Sequence, residues 1–230
     1  MIKVFKNKLI YNYINNHQYR NCVFKYIPNS LAVIIETRPV DTLNWTINNI
    51  LKYSKFPVRI YHSKENEQLL PDNIEKIKIN SINIVEYNKL LTSRKFWEEL
   101  PAENILIFQS DSFMLRDGIE EFINYDYIGA DWYWIYLNQY PEYKKYSAGG
   151  NGGFSFRKKS KMLEIIDRLP YDDKLNEDMY FALGLQGTNL PTPEQKQKFS
   201  VESVFHKEPL AVHAPDKYMK DDQLKIILGL

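Results

Sequence analysis

The chain has 230 residues, with 30 Lys and Arg against 29 Asp and Glu, a formal net charge of +1 and one cysteine, Cys22. That balance excludes a nucleic-acid binder working through overall positive charge, and a lone cysteine excludes an internal disulfide framework or a cysteine-built zinc site. A chain of this length buries about 72 % of its unfolded surface, enough for one large domain without covalent staples.

No apolar run approaches the ~20 residues of a membrane span, and polar residues interrupt every apolar stretch near the N-terminus. A soluble, cytoplasmic chain without direct membrane insertion is therefore expected. Residues 1–30 show weak periodicity and are expected to form an arm packed on a domain at 31–230.

Leu31 to Ile35 is a short β-branched run between Pro28 and Pro39, which favours a buried strand. Asp41 is placed to cap a helix running to Ser54, with Leu43, Ile47, Ile50 and Leu51 on one face. Strands are predicted at 58–61 and 74–79, a short helix at 64–70 and an amphipathic helix from Arg94 to Leu100, before Pro101. Asn104 to Phe108 is the most strand-like segment and runs into Gln109-Ser110-Asp111-Ser112. A helix near 117–123, a strand at Tyr127-Ile128-Gly129, an aromatic loop at 132–146 and a glycine cluster at 149–153 follow. Helices are predicted at about 158–168 and from Glu177 onward, then a tail ending in Val212-His213. Strands alternating with helices predict an α/β domain with a mainly parallel central sheet, and unbroken apolar strands fit cover on both faces.

Asp111 follows the strand that enters the core. Ligands gather beyond the carboxyl ends of such strands, where a carboxylate suits a hard divalent cation; capping the next turn would use it equally well. Gly149-Gly150-Asn151-Gly152-Gly153 lacks both the dinucleotide and the triphosphate-loop spacing, so it is either a close approach to ligand or a tight loop before a strand. Glu177-Asp178 opens a helix, where acids complement the dipole; catalysis would need a carboxylate aimed into a cleft. Trp132, Tyr133 and Trp134, with Tyr140, Tyr143 and Tyr146, suit a sugar or a protein contact, or simply core. His62 ends a strand on the ligand side, and His213 lies in a short apolar segment. Neither His17 nor His206 has a telling context, and no G-x-S-x-G motif is present.

Taken in order, residues 105–112, Tyr127-Ile128-Gly129-Ala130 with Trp132, Gly150 to Arg157 and Glu177 to Phe181 resemble an uncharacterised family of glycosyltransferase-like domains. That family is similar to nucleotide-sugar transferases of the glycosyltransferase-A fold, and the resemblance runs from about Leu31 to His213. It implies a single domain of that fold. Donor binding falls to Glu36, Thr37 and Arg38 at the first strand end and to Gln109, Ser110 and Asp111 in place of an Asp-x-Asp motif. Gln109 stands where the first acid would be. A divalent metal, Mn²⁺ or Mg²⁺, is implied on Asp111 and His213. Asp178 is implied as catalytic base with Glu177 beside it, and Trp132, Gly150, Asn151, Gly152 and Gly153 as the acceptor side.

The implied activity is metal-assisted transfer of a sugar from a nucleotide-sugar donor to a hydroxyl acceptor, a glycan being the expected one, with inversion. A homodimer is a further expectation. The alternatives are a sugar-phosphate nucleotidyltransferase and a non-catalytic carbohydrate-binding module on the same fold.

Overall fold

The computed structural model describes residues 28–136, 141–187 and 189–230. Most of the expected N-terminal arm, with His17 and Cys22, lies outside the described residues, as does Tyr140. Ser30, placed in the arm by its sequence, already belongs to the first strand.

Strands β1 (Ser30–Ile35), β2 (Val58–His62), β3 (Glu75–Lys78) and β4 (Asn104–Phe108) come first, then β5 (Ser112–Met114), β6 (Tyr127–Gly129) and β7 (Phe154–Lys158). A six-stranded sheet has the order β3-β2-β1-β4-β7-β6. β1 to β4 pair in parallel, and β7 runs antiparallel to both neighbours. The fold is thus mixed α/β with a mostly parallel central sheet.

Alternate residues of one strand serve opposite faces, as the pleat requires. Ala32, Ile34, Leu106 and Phe108 pack beneath helix α1 (Leu43–Ser54). Leu31, Val33, Ile105 and Ile107 face the other way. They meet helices α2 (Ile84–Leu91), α3 (Arg94–Glu98), α4 (Lys159–Arg168) and α5 (Glu177–Gly184). Cover on both faces explains why β1 and β4 read as unbroken apolar runs.

Three expectations change. α1 starts at Leu43; Asp41 is exposed and outside it, and the Thr42 hydroxyl donates to the Ser110 carbonyl instead of capping. The segments at 64–70 and 117–123 form only short 3₁₀ turns, at Glu67–Leu69 and Ile119–Glu121. α2 was absent from the sequence reading although a capping box starts it, with Asn83 and Glu86 each satisfying the other's backbone.

The expected tail is also structured. After α6 (Pro193–Phe199), β8 (Ser200–Val201) and β9 (Ala211–His213) join β5 in a second sheet ordered β5-β9-β8. Helices α7 (Pro215–Tyr218) and α8 (Asp221–Leu228) follow, and Leu224 and Leu228 pack on Phe113 and Val212. Among the described residues no helix is long and apolar enough to cross a membrane.

Trp97 anchors the second face. It is fully buried, donates Nε1–H to the Leu91 carbonyl and meets Phe96 and Phe181 edge to face. Trp97→Ala is expected to lower the unfolding free energy by about 3–5 kcal/mol in urea titrations. A loss under about 1 kcal/mol would contradict this packing.

Candidate functional site

Neighbouring β1 and β4 end together, and the polar residues that follow them wall one cavity of about 620 Å³. Glu36, Thr37, Arg38, Gln109, Ser110 and Asp111 all line it, joined by Tyr87 from α2 and Lys217 from α7.

Glu36 organises the β1 side. Only 6 % exposed, it grips Arg38 in a fork, Nε to Oε1 at 2.9 Å and Nη2 to Oε2 at 2.8 Å. Its Oε2 also accepts from the Ser110 hydroxyl at 2.9 Å, tying the two strand ends together. The Arg38 side chain is 74 % exposed, so the fork aims a cation along the cavity wall without burying it. The hydrogen bond to Glu36 outweighs partial burial and raises the guanidinium further above its ordinary value. Thr37 is buried and its hydroxyl accepts from the Ile82 amide, so this side chain braces the wall. Asn66, fully buried, donates to the carbonyls of Glu36 and Arg38, and the Ser63 hydroxyl donates to that of Thr37. These two residues were missed, although polar side chains just past a parallel strand are a usable signal. His62 turns its Nδ1 to the Ser63 carbonyl and does not line the cavity.

The β4 side carries a cluster of charged and titratable groups. Asp111 Oδ1 is 3.4 Å from His213 Nε2, and Oδ2 is 3.6 Å from Lys217 Nζ. Burial pushes the Asp111 carboxyl up, but the hydrogen bond and charge of His213, with Lys217, outweigh it and hold it at about 2. Burial likewise opposes charge on His213; Asp111 and Glu202 outweigh it and raise the imidazole to about 9. Gln109 places Oε1 3.2 Å from the same Nε2 and donates from its own Nε2 to the Tyr87 phenol at 3.2 Å. Neither Tyr87 nor Lys217 nor Glu202 was foreseen.

Three electron-rich atoms thus face one point: Asp111 Oδ1, Gln109 Oε1 and His213 Nε2. Something positive must lie between them, a proton on Nε2 or a cation that displaces it. Among the described residues no group of three His, Cys, Asp or Glu is disposed to hold a metal. The set here is one carboxylate and one imidazole with an amide oxygen as third donor, which could hold a divalent cation only with further ligands from outside these side chains.

The Glu177-Asp178 pair divides. Glu177 is 3 % exposed and bound by both Nη atoms of the fully buried Arg157, at 2.5 and 2.9 Å. It holds a structural ion pair beneath the Tyr127 ring. Asp178 is only partly buried and accepts from the Gly152 amide at 3.1 Å. Desolvation, then the neighbouring charge of Glu177, raises its carboxyl to about 7. Asp178 does not line the cavity; Tyr87 does, and burial together with the charges of Glu177 and Asp178 pushes that phenol well above its ordinary value.

The residues given to the acceptor side are mostly internal. None of Gly149, Gly150, Gly152 or Gly153 has positive φ. Their value is room: a Cβ on Gly152 would lie 2.2 Å from Glu177 Oε1, and one on Gly153 2.1 Å from His213 Nε2. Buried Asn151 donates to Glu202. Trp132, 6 % exposed, stacks on Trp134 at 4.8 Å and packs with Tyr146 and Ala182 as core.

With this geometry in hand, the chain belongs to a family described as "Protein of unknown function (DUF5672)", whose model matches residues 73–213. No curated protein matches it. Among solved structures it is similar to the apo form of the glycosyltransferase GlyE of Streptococcus pneumoniae TIGR4, with a TM-score of 0.53 at 8 % identity. That similarity covers 84 % of this chain and 55 % of GlyE, so the chain spans about half of that protein's length. Likeness at this identity establishes a glycosyltransferase-like fold.

Ionising Asp178 costs stability. Its carboxyl titrates near the ordinary 3.8 when unfolded and at about 7 in the fold, so the native state keeps a proton that the unfolded chain releases. The stability tied to that proton is complete below pH 4 and lost as pH rises through 7; at about 1.4 kcal/mol per unit the upper limit is about 4 kcal/mol. Asp178→Asn should therefore be more stable than wild type at pH 8, with the gap closing towards pH 4, in denaturant titrations. A gap that does not change with pH would contradict the assignment.

Proposed function

We propose that the protein transfers a sugar from a nucleotide-sugar donor to a hydroxyl acceptor, a glycan being the acceptor class favoured. The observation carrying this is the convergence of two strand ends, 36–38 and 109–111, on one cavity walled also by Lys217, with Asp111, Gln109 and His213 meeting beside it. Concave sites past the carboxyl ends of parallel strands are where nucleotides dock in such sheets.

The chain's own groups divide the work. The cavity takes the nucleoside diphosphate, with Arg38 and Lys217 facing its charge. Both cations are already oriented, Arg38 by Glu36 and Lys217 beside Asp111, so little reorganisation accompanies departure of the diphosphate. Asp111 and His213 would hold a divalent cation, Mn²⁺ or Mg²⁺, supplying further positive charge to the leaving group. Asp178, outside the cavity lining and beside the Gly152 amide, is the base in this reading: reaching the acceptor from that side, it would remove the hydroxyl proton as the oxygen attacks the anomeric carbon and the bond to the diphosphate oxygen breaks. A carboxyl at about 7 suits that task near neutrality. Glu177 keeps Arg157 in place beside Asp178 in the first turn of α5. Direct displacement inverts the anomeric carbon.

The test is a panel of nucleotide sugars, assayed for nucleoside diphosphate release and for transfer to oligosaccharides. Asp111→Asn is expected to lower turnover by about 3 kcal/mol, roughly a hundredfold. Asp178→Asn is expected to abolish transfer while sparing nucleotide binding, and wild-type kcat should rise with pH to a plateau above about 7. No nucleotide binding to wild type under any condition would leave a carbohydrate-binding module. Pyrophosphate from a nucleoside triphosphate and a sugar phosphate would indicate a nucleotidyltransferase.

A further inference from the structure

We propose that Glu202 is a positioning residue for this site. Through the His213 ring it fixes which nitrogen faces Asp111 and Gln109, and it thereby sets the site's affinity for a divalent cation. This rests on the metal-assisted reading above.

Glu202 follows β8 and is 6 % exposed. Its only ion-pair partner among the described residues is His213, whose Nδ1 lies 3.1 Å from Oε1. A carboxylate can only accept, so Nδ1 carries the hydrogen and Nε2 is the nitrogen turned to Asp111 Oδ1 and Gln109 Oε1. The same Oε1 accepts from Asn151 Nδ2 at 2.7 Å, and Asn151 Oδ1 accepts from the Gly153 amide at 2.7 Å. Gly153 closes the circuit. Its carbonyl accepts from the Gln109 amide and the Ser112 hydroxyl, and its bare Cα leaves room for the imidazole. Ring, carboxylate, amide and glycine therefore form one hydrogen-bonded frame.

Burying a carboxylate is costly unless it is paired and hydrogen-bonded. Packing alone would be served as well by an apolar residue; what the carboxylate adds is a fixed orientation and a more basic imidazole. Asn151 and the glycines beside it gain a role in this frame that their burial does not allow them at an acceptor surface.

The probe is Mn²⁺ alone, titrated into the full chain with free Mn²⁺ followed by electron paramagnetic resonance. Glu202→Ala is expected to weaken binding about 10- to 100-fold. Glu202→Gln keeps an oxygen that accepts from Nδ1 and is expected to recover part of that loss. At the Mg²⁺ concentration that saturates wild type, imidazole ¹⁵N shifts of His213 should show hydrogen on Nδ1 and a metal-bound Nε2 in wild type, and a growing share of unbound ring in Glu202→Gln and Glu202→Ala. Should Glu202→Ala fail to fold, Glu202→Gln carries the test, because removal of the negative charge alone must still weaken Mn²⁺ binding. Wild-type affinity in both variants would overturn the positioning role and leave the metal reading intact. A wild type that binds no Mn²⁺ would overturn both, and sugar transfer in EDTA would then still support the transferase.

Discussion

Pairing of β5 with β9 sets Ser112 opposite His213, and everything at the site depends on that register. It brings His213 to Gln109, 104 residues away in sequence, and to Asp111 at the mouth of the cavity. The strands are only three residues long, so their ladder alone is weak. The contact lasts because Phe113, Val212, Leu224 and Leu228 bury an apolar cluster behind it. Gly153 adds the geometric condition: any side chain there would occupy the place of the imidazole.

Around that contact the charges are arranged in a chain. Glu36 holds Arg38, His213 and Lys217 flank Asp111, Glu202 backs His213, and Glu177 neutralises Arg157. The buried pairs fix position, while Arg38 and Lys217 remain more than half exposed on the cavity wall. The cavity lining carries three carboxylates against these two cations: Glu36 forked to Arg38, Asp111 flanked by His213 and Lys217, and the exposed Asp41. Desolvation, reinforced by the charge of Glu177 and eased by that of Arg157, keeps Asp178 protonatable near neutrality.

Much of this was legible in the sequence. The strands at 31–35, 58–61 and 104–108 declared themselves because doubly covered strands must be continuously apolar. Asp111 followed from its place past a strand's carboxyl end, and the family resemblance supplied the other cavity-lining residues at 36–38 and 109–110. α2 was hidden because Ile84 and Val85 are exposed and blur its amphipathic pattern, while its Asn83 and Glu86 signature went unused. Residues 200–201 and 211–213 are too short for any period to register. Glu202 had no local context; only topology gives it His213 as a partner. The glycine cluster and Trp132 were placed at a ligand surface because sequence does not distinguish approach to a ligand from approach to another part of the protein.

The most direct measurement is a crystal structure of the protein with a nucleoside diphosphate and Mn²⁺. The account expects the diphosphate in the cavity between Arg38 and Lys217, with the metal touching Asp111 and His213. Nucleotide bound elsewhere, or a cavity left empty at saturating nucleotide, would contradict it.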